Sequence, residues 1–335
     1  MLAYLRSFLG LLSFAFLGLA LLAAMATYGS YVYLAQGPLT ENKIVIVEKG
    51  WGLNRIAYAL EKEGVISDSL MFRISAHILG RHDSLKAGEY EFEAGDSIAT
   101  IQEKIHEGII FGRKFTVPEG LTSYQIVKLL NNNETLKGEI GEIPEEGTLL
   151  PETYHYQSSD TKNLKIQQMQ KAMREAVAEL WPHRSDNLPF STQEEAVILA
   201  SIVEKETGVS SERKKVAGVF VNRLRRGIPL QTDPTVIYAL TMGKVQDSGK
   251  GPLGRRLLRK DLSVDSPYNT YKYKGLPPGP IANPGKAALE AVLHPESHDY
   301  IYFVADGTGG HSFAKTLKEH NQNVAKWRKI RAAKK

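Results

Sequence analysis

Ser191-Thr192-Gln193-Glu194-Glu195-Ala196-Val197-Ile198-Leu199-Ala200-Ser201-Ile202-Val203-Glu204-Lys205-Glu206-Thr207-Gly208 is the stretch from which the rest of the chain can be read. Ser191 with Glu194 fits a capping box and Gly208 a helix stop, so the spacing predicts a helix between them. Apolar residues fall on most of its sides, which predicts that it is largely buried. At about 100° per residue, Leu199, Val203 and Ile202 share one arc and Glu206 falls inside it. Glu204 points well away, and Lys205 lies on yet another side. A carboxyl among apolar side chains has its charged form penalised, so its pKa rises. Its proton then stays available near neutral pH, which is what a general acid requires. The competing reading has Glu206 in the last turn, reaching solvent or pairing with Arg213 or Lys214.

Downstream, Ser210 or Ser211 caps a second helix, with Val216, Val219, Phe220 and Leu224 inward and Gly227 closing it. Pro229-Leu230-Gln231-Thr232-Asp233-Pro234-Thr235 follows as an extended polar turn, because proline biases its predecessor away from helix. Two further rigid loops, Ser266 to Tyr271 and Leu276 to Gly285, are dense in amide, hydroxyl and aromatic groups. Such groups suit a sugar polymer, whose rings carry many hydroxyls and one apolar face. A C-terminal strand from Tyr300 to Ala305 precedes Asp306-Gly307-Thr308-Gly309-Gly310, which reads as a hairpin turn rather than a phosphate cradle because no Gly-Lys-Ser/Thr ending is present. Upstream lies a helix from about Leu164 to Leu180, ended by Pro182. The acidic loop from Lys137 to Gly147 reads as a boundary.

The part before that loop repeats one local pattern. Ile44 to Glu48, Tyr90 to Phe92 and Phe115 to Val117 are each a short strand followed by a glycine turn. An amphipathic helix comes next in every copy, with stripes at Leu53/Ile56/Ala57/Leu60, Ile98/Ile101/Ile105 and Ile126/Leu129/Leu130. Such units must pack on one another to bury their apolar faces. Strand, Lys49-Gly50, an aromatic and then a helix also resembles the opening of a LysM glycan-binding module. An ordinary small α+β unit is the plainer alternative.

From Ser7 to Thr40 there is no charged residue, and a helix needs only about 20 apolar residues to cross the hydrocarbon core. Tyr28, Tyr31 and Tyr33 cluster at the far end of this run, where amphipathic rings favour the headgroup region. Arg6 lies before it and Lys43 is the first cation after it, which favours a cytoplasmic N-terminus. A cleaved signal peptide competes, with small residues at Ala23 to Ala26, but the apolar run continues well past them. The expectation is a single-pass anchor with nearly everything exported.

Composition narrows the chemistry. The chain has 335 residues, 42 Lys+Arg against 37 Asp+Glu, and no Cys. Thiol nucleophiles, disulfides, Cys-ligated zinc and iron–sulfur clusters are thereby excluded. A net charge of +5 spread along the chain gives no reason to expect a nucleic-acid partner. Ser211-Glu212-Arg213-Lys214 and Ser185-Asp186-Asn187 match two elements of penicillin-binding enzymes, but in reversed order and with no Lys-Thr-Gly after them. No G-x-S-x-G elbow supports an α/β-hydrolase. His294 and His298 have Pro295 between them and no H-E-x-x-H accompanies them, so neither a zinc site nor any cofactor is expected. The basic tail from Lys326 reads as a solvated helix end.

Taken in order, Ile202-Val203-Glu204-Lys205-Glu206-Thr207, Val219-Phe220-Val221-Asn222-Arg223-Leu224 and Leu230-Gln231-Thr232-Asp233-Pro234-Thr235-Val236-Ile237-Tyr238 resemble the signature run of the bacterial endolytic murein transglycosylases, the YceG-like proteins. Tyr268-Asn269-Thr270-Tyr271, Leu276 to Ile281 and Tyr302 to Gly307 continue it. Pro151-Glu152-Thr153-Tyr154 departs from the family's usual Pro-Asp-Thr-Tyr but keeps the acid.

The resemblance implies that Glu206, second of the Glu-x-Glu pair, is the catalytic acid. It also implies that the substrate is the glycan strand of peptidoglycan, cut internally with formation of a 1,6-anhydro end. Asn222, Gln231, Thr232, Asp233, Tyr268 and Asn269 are the expected residues for holding glycan or orienting the acid. The alternatives are a non-catalytic glycan-binding scaffold and a hydrolytic muramidase using Asp233 or another carboxylate to activate water. The expected class is α+β: a leader at 1–7, a transmembrane helix at 8–35, a LysM-like subdomain at 42–110 and a mixed catalytic domain at 111–331. The implied location is the cell inner membrane with the catalytic domain periplasmic, and the implied partners are peptidoglycan synthases.

Overall fold

The computed structural model describes residues 2–244 and 252–333. The chain divides into two compact units, Met1–Arg113 and Lys114–Lys335. The first opens with a 33-residue helix, α1 (Leu2–Leu34). Within it Phe16–Leu34 is long and apolar enough to cross a membrane. Phe16, Leu19 and Leu22 are exposed along its sides.

After α1 come β1 (Lys43–Val47), α2 (Leu53–Lys62), α3 (Ser69–Ile78), β2 (Gly88–Phe92) and α4 (Ile98–Glu107). β1 and β2 pair antiparallel, with Val45 opposite Tyr90. Alternation along β1 turns Val45 and Val47 inward while Ile44 and Ile46 face out. The inward residues join Ile56, Ala57 and Leu60 of α2 and Ile98, Ile101 and Ile105 of α4 in one core. The first two sequence copies therefore do pack on one another. α3 had no counterpart in the repeat. Asp68 starts it, its carboxylate accepting from Met71 N at 2.9 Å.

The third copy does not join them. β3 (Arg113–Thr116) pairs instead with β4 (Thr153–Tyr156), and α5 (Ser123–Asn131) lies between the two in the chain. Phe115, Val117, Ile126, Val127 and Leu130 pack with Leu149, Tyr156 and Met169 in a separate core. Val127, not the expected Leu129, completes the buried stripe of α5. The loop from Lys137 to Gly147 is consequently internal to the second unit rather than a boundary.

The remainder of the second unit is mostly helical. It comprises α6 (Lys162–Leu180), α7 (Gln193–Glu206), α8 (Arg213–Arg225), α9 (Asp233–Thr241) and α10 (Lys286–Leu293), then β5 (Tyr302–Ala305), β6 (His311–Ala314) and α11 (Leu317–Ala333). α7 is the central element. Leu199, Ala200, Ile202 and Val203 are inaccessible to solvent and pack with Val216, Ala217 and Phe220 of α8 and Leu289 and Val292 of α10.

Its N-terminal box is shifted by one residue from expectation. The Thr192 hydroxyl accepts from Glu195 N at 3.1 Å, and Glu195 accepts from Thr192 N at 3.0 Å. Glu195 also accepts from Ser191 N at 2.7 Å, so Ser191 stands just outside the helix. The C-terminus ends on an extended Thr207 rather than on a left-handed Gly208. α8 likewise begins after Glu212, neither serine capping it, and closes as expected at a left-handed Gly227. β5 and β6 form the hairpin read from the glycines, with Asp306 N donating to Gly310 O at 3.0 Å.

Candidate active site

The last turn of α7 carries two carboxylates with different surroundings. Glu204 accepts from Gly285 N at 3.0 Å and lies 3.6 Å from the Arg213 guanidinium, which also reaches Glu119 at 3.6 Å. Burial raises the pKa of Glu204, while the Gly285 amide and Arg213 oppose the rise. The cation that the sequence offered to Glu206 is thus paired with its neighbour. Lys205 turns to a third side and donates to Gly120 O at 3.0 Å.

Glu206 instead faces a cavity of about 520 Å³. Phe220, Arg223, Gln231, Asp233, Tyr271, Tyr302 and His320 line it with Glu206. Burial pushes the Glu206 carboxyl up to about 7, the Thr232 hydroxyl works against the rise, the Asp233 charge adds to it, and His311 and Arg223 oppose it. Glu206 is half-buried at the helix end, and its pKa is shifted in the direction that periodicity predicts.

The cavity walls are held by hydrogen bonds that only the tertiary structure reveals. Arg223 is buried and donates through Nε to Ile301 O and through Nη1 to Pro229 O at 3.1 Å and Leu230 O at 2.8 Å. One side chain thereby ties the start of the β5 hairpin to the 229–231 turn. Gln231 sits in the left-handed region at φ 52°, where a non-glycine residue is uncommon, and its N–H donates to Thr270 O at 3.1 Å. Thr232 N donates to the Thr270 hydroxyl at 3.1 Å. The Tyr271 hydroxyl donates to Asp233 Oδ1 at 2.7 Å, at the N-terminal end of α9. Burial, then this bond, raises the Tyr271 pKa. Opposite, His320 stacks on Tyr302 with ring centroids 5.0 Å apart, and its buried Nδ1 has no hydrogen-bond partner among the described residues.

Of the expected site residues, Glu206, Gln231, Thr232 and Asp233 are brought together. Asn222 is not with them: its amide donates to His298 O at 2.6 Å and Tyr300 O at 3.0 Å, bracing the loop before β5. Asn269 is wholly buried and donates to Leu262 O at 2.9 Å and Val264 O at 2.8 Å, so it shapes its own loop. Tyr268 lines a different cavity, against Tyr238.

Sequence reading missed Arg223, Tyr271, Tyr302 and His320. It also missed a clasp beside the site, in which Glu212 accepts from His311 N at 3.0 Å and meets His311 Nδ1 at 2.7 Å. Gly310 leaves room for that clasp, since a Cβ there would fall 2.7 Å from Glu212 Oε1. Among the described residues, no group of three or more His, Asp or Glu is arranged to hold a metal ion.

A carboxyl with a raised pKa at the end of a buried helix, facing a cleft of hydroxyl, amide and aromatic groups, is the arrangement suited to acid–base work on a polar, ring-containing substrate. Residues 45–326 match the model of the YceG-like family, and the chain belongs to that family. It is 33% identical over 312 residues to the endolytic murein transglycosylase of Bacillus subtilis, covering 84% of this chain and 83% of that protein. The endolytic murein transglycosylase of Streptococcus pneumoniae is 30% identical over 361 residues, with 92% of this chain spanning 63% of its length. A crystal structure of a YceG-like protein from Listeria monocytogenes aligns with a TM-score of 0.50 at 33% identity, covering 84% of this chain and 99% of that one.

Proposed function

We propose that this chain is a membrane-anchored endolytic lytic transglycosylase that cuts the bond between N-acetylmuramic acid and N-acetylglucosamine within peptidoglycan glycan strands. The observation that carries this reading is Glu206, a carboxyl pushed up to about 7 by burial and opening onto a cleft in a chain of the YceG-like family. The names of the bacterial relatives supply the reaction class.

In this reading Glu206 gives its proton to the glycosidic oxygen as the bond from the muramoyl anomeric carbon breaks. The muramoyl 6-hydroxyl then bonds to that carbon, and its proton passes to the Glu206 carboxylate. The products are a 1,6-anhydro end and a free hydroxyl on the leaving sugar, with no water consumed and Glu206 restored. One carboxylate suffices because an intramolecular hydroxyl replaces the second carboxylate of ordinary glycosidases. His311 and Arg223 favour the ionised form that must exist between the two steps.

The apolar span Phe16–Leu34 supports anchoring, with the N-terminus cytoplasmic and the second unit beyond the inner membrane. A cavity of about 610 Å³ in the first unit, lined by Trp51 with the Arg55 guanidinium 4.7 Å over its ring, supports LysM-like glycan contact there. Work beside peptidoglycan synthases, ending nascent strands, rests on the family resemblance.

One observation favours a second reading. Asp233 shares the cleft with Glu206 and is the carboxylate a hydrolytic muramidase would use to activate water. Mass analysis of muropeptides released by the full-length protein and by Glu206→Gln separates the readings. Anhydro-ended internal fragments from the first and none from the second are expected. Reducing ends would mean hydrolysis, and release by Glu206→Gln would remove the acid from its role.

A further inference from the structure

The second unit has another cavity, larger than the first at about 910 Å³. Its floor is apolar, with Met173, Val177 and Val197, and Tyr268 leans over Tyr238 with ring centroids 4.8 Å apart. Gln170 and Gln193 contribute amides, and Arg174, Glu145, Glu146 and Glu194 contribute charged groups to its lining. Two glycines give it its shape by close approach. A Cβ on Gly147 would fall 2.5 Å from Pro280 Cγ, and one on Gly279 would fall 2.9 Å from the Tyr268 hydroxyl.

The same three elements build both cavities. α7 carries Glu206 at one end and Val197 nearer the other, α9 carries Asp233 and then Tyr238, and the 268–271 turn presents Tyr271 to the first and Tyr268 to the second. Ile198 and Glu206, eight positions apart on α7, are separated by about 12 Å along its axis, more than one sugar ring. The connection runs along α9, from Asp233 at the Glu206 cleft to Tyr238 at the tyrosine pair, and along the 268–271 turn beside it. We infer that this groove is a second glycan subsite, holding N-acetylated sugar residues of the same strand away from the scissile bond. The chemistry fits: aromatic rings match the apolar faces of pyranoses, the apolar floor matches acetyl methyls, and the rim amides match hydroxyls and acetamides. The inference rests on the glycan-cleaving reading, since a strand cut internally must extend past the cleavage point.

The test uses the full-length protein in detergent and peptide-free glycan strands of two lengths, one filling only the Glu206 cleft and one several disaccharides longer. Tyr268→Ala removes the stacking face, and Gln193→Trp at the exposed start of α7 obstructs the rim without entering the core. Each variant is expected to lower the ratio of kcat/KM on long over short strands by about tenfold. An unchanged ratio, or an equal fall on both lengths, would overturn the subsite. The inactive Glu206→Gln chain carries a parallel binding measurement, in which the groove substitutions should weaken the long strand's Kd by a similar factor and leave the ratio to the short strand reduced. If Glu206→Gln proves active, the catalytic reading fails while the binding ratio still decides the groove. Wild-type discrimination by length that survives both groove variants would assign the groove to another occupant, such as a protein partner.

Discussion

Glu206 and Glu146 stand at two cavities of the same unit, and burial pushes both carboxyls up to about 7. Their hydrogen bonding differs sharply. Glu146 accepts from Ser123 N at 2.7 Å and from the Asn283 amide at 2.9 Å, and the Tyr238 hydroxyl adds a third bond. It caps the start of α5 and fastens three distant segments together. Glu206 has the Thr232 hydroxyl beside it and otherwise opens onto the cleft. A raised pKa alone therefore does not mark a catalytic acid. What singles out Glu206 as the proposed acid is a raised pKa on a carboxyl that opens onto the cleft.

The largest expected effect follows from that contrast. Glu206→Gln keeps the shape but has no proton to give, so turnover of peptidoglycan should fall on the order of a hundredfold to ten-thousandfold. The fold should be retained, as judged by circular dichroism. A residual rate close to wild type would erase the distinction between the two carboxyls.

Glu146 should show the opposite signature, with the cost in stability. Glu146→Leu leaves the Ser123 amide, the Asn283 amide and the Tyr238 hydroxyl without their acceptor in a buried site. Orphaned buried donors cost roughly 1–3 kcal/mol each, and partial relaxation brings the expected loss to about 3 kcal/mol. Urea unfolding of the full-length protein in detergent measures it, and a loss below about 1 kcal/mol would mean that the pocket re-forms with water.

The two carboxyls share a pH dependence whose sign is fixed by the direction of their shifts. Both hold their protons more tightly when folded than when unfolded, so the folded state binds more protons between the ordinary carboxyl value of 4.5 and about 7. Stability is then full below that window and declines as pH rises through it. Each group costs up to roughly 3 kcal/mol by pH 8. Glu206→Gln should remove its share, making the variant more stable than wild type at pH 8 and equal to it near pH 4. Catalysis should fall over the upper part of the same window, because the acid works only while protonated.

The contrast also explains what could be read from the sequence. α7 was legible because its caps, its apolar periodicity and the position of Glu206 on the buried arc are all local. Even the slip from Ser191/Glu194 to Thr192/Glu195 moved the helix start by a single residue. Glu146 was not legible. Its loop is acidic and glycine-bearing like a boundary, and its partners Ser123 and Asn283 lie 23 and 137 residues away. Which residues share the cleft with Glu206 was hidden for a related reason. Asn222 and Tyr268 have the right chemistry, but their neighbours Arg223 and Tyr271 are the ones turned into the cleft. Only the long-range bonds of Arg223 to Ile301 and of Gln231 to Thr270 decide which way those segments face. The third strand–turn–helix copy was read correctly as local structure yet given the wrong partner, because β4, its actual partner, lies beyond the loop taken for a boundary.

The smallest effect sharpens the comparison at the Glu206 side. Asp233 lies in the same cleft, and its charge helps to hold the Glu206 proton, whereas Glu146 owes its value to burial against its own hydrogen bonds. Asp233→Asn keeps an acceptor for the Tyr271 hydroxyl and removes only the charge. The Glu206 pKa should then drop, and the alkaline limb of the activity profile should move to lower pH, with the rate on its acidic side reduced only severalfold. Under the transglycosylase reading the products remain anhydro-ended. If Asp233 instead activates water, the same substitution abolishes turnover across the whole pH range, and a shift confined to the alkaline limb could not arise.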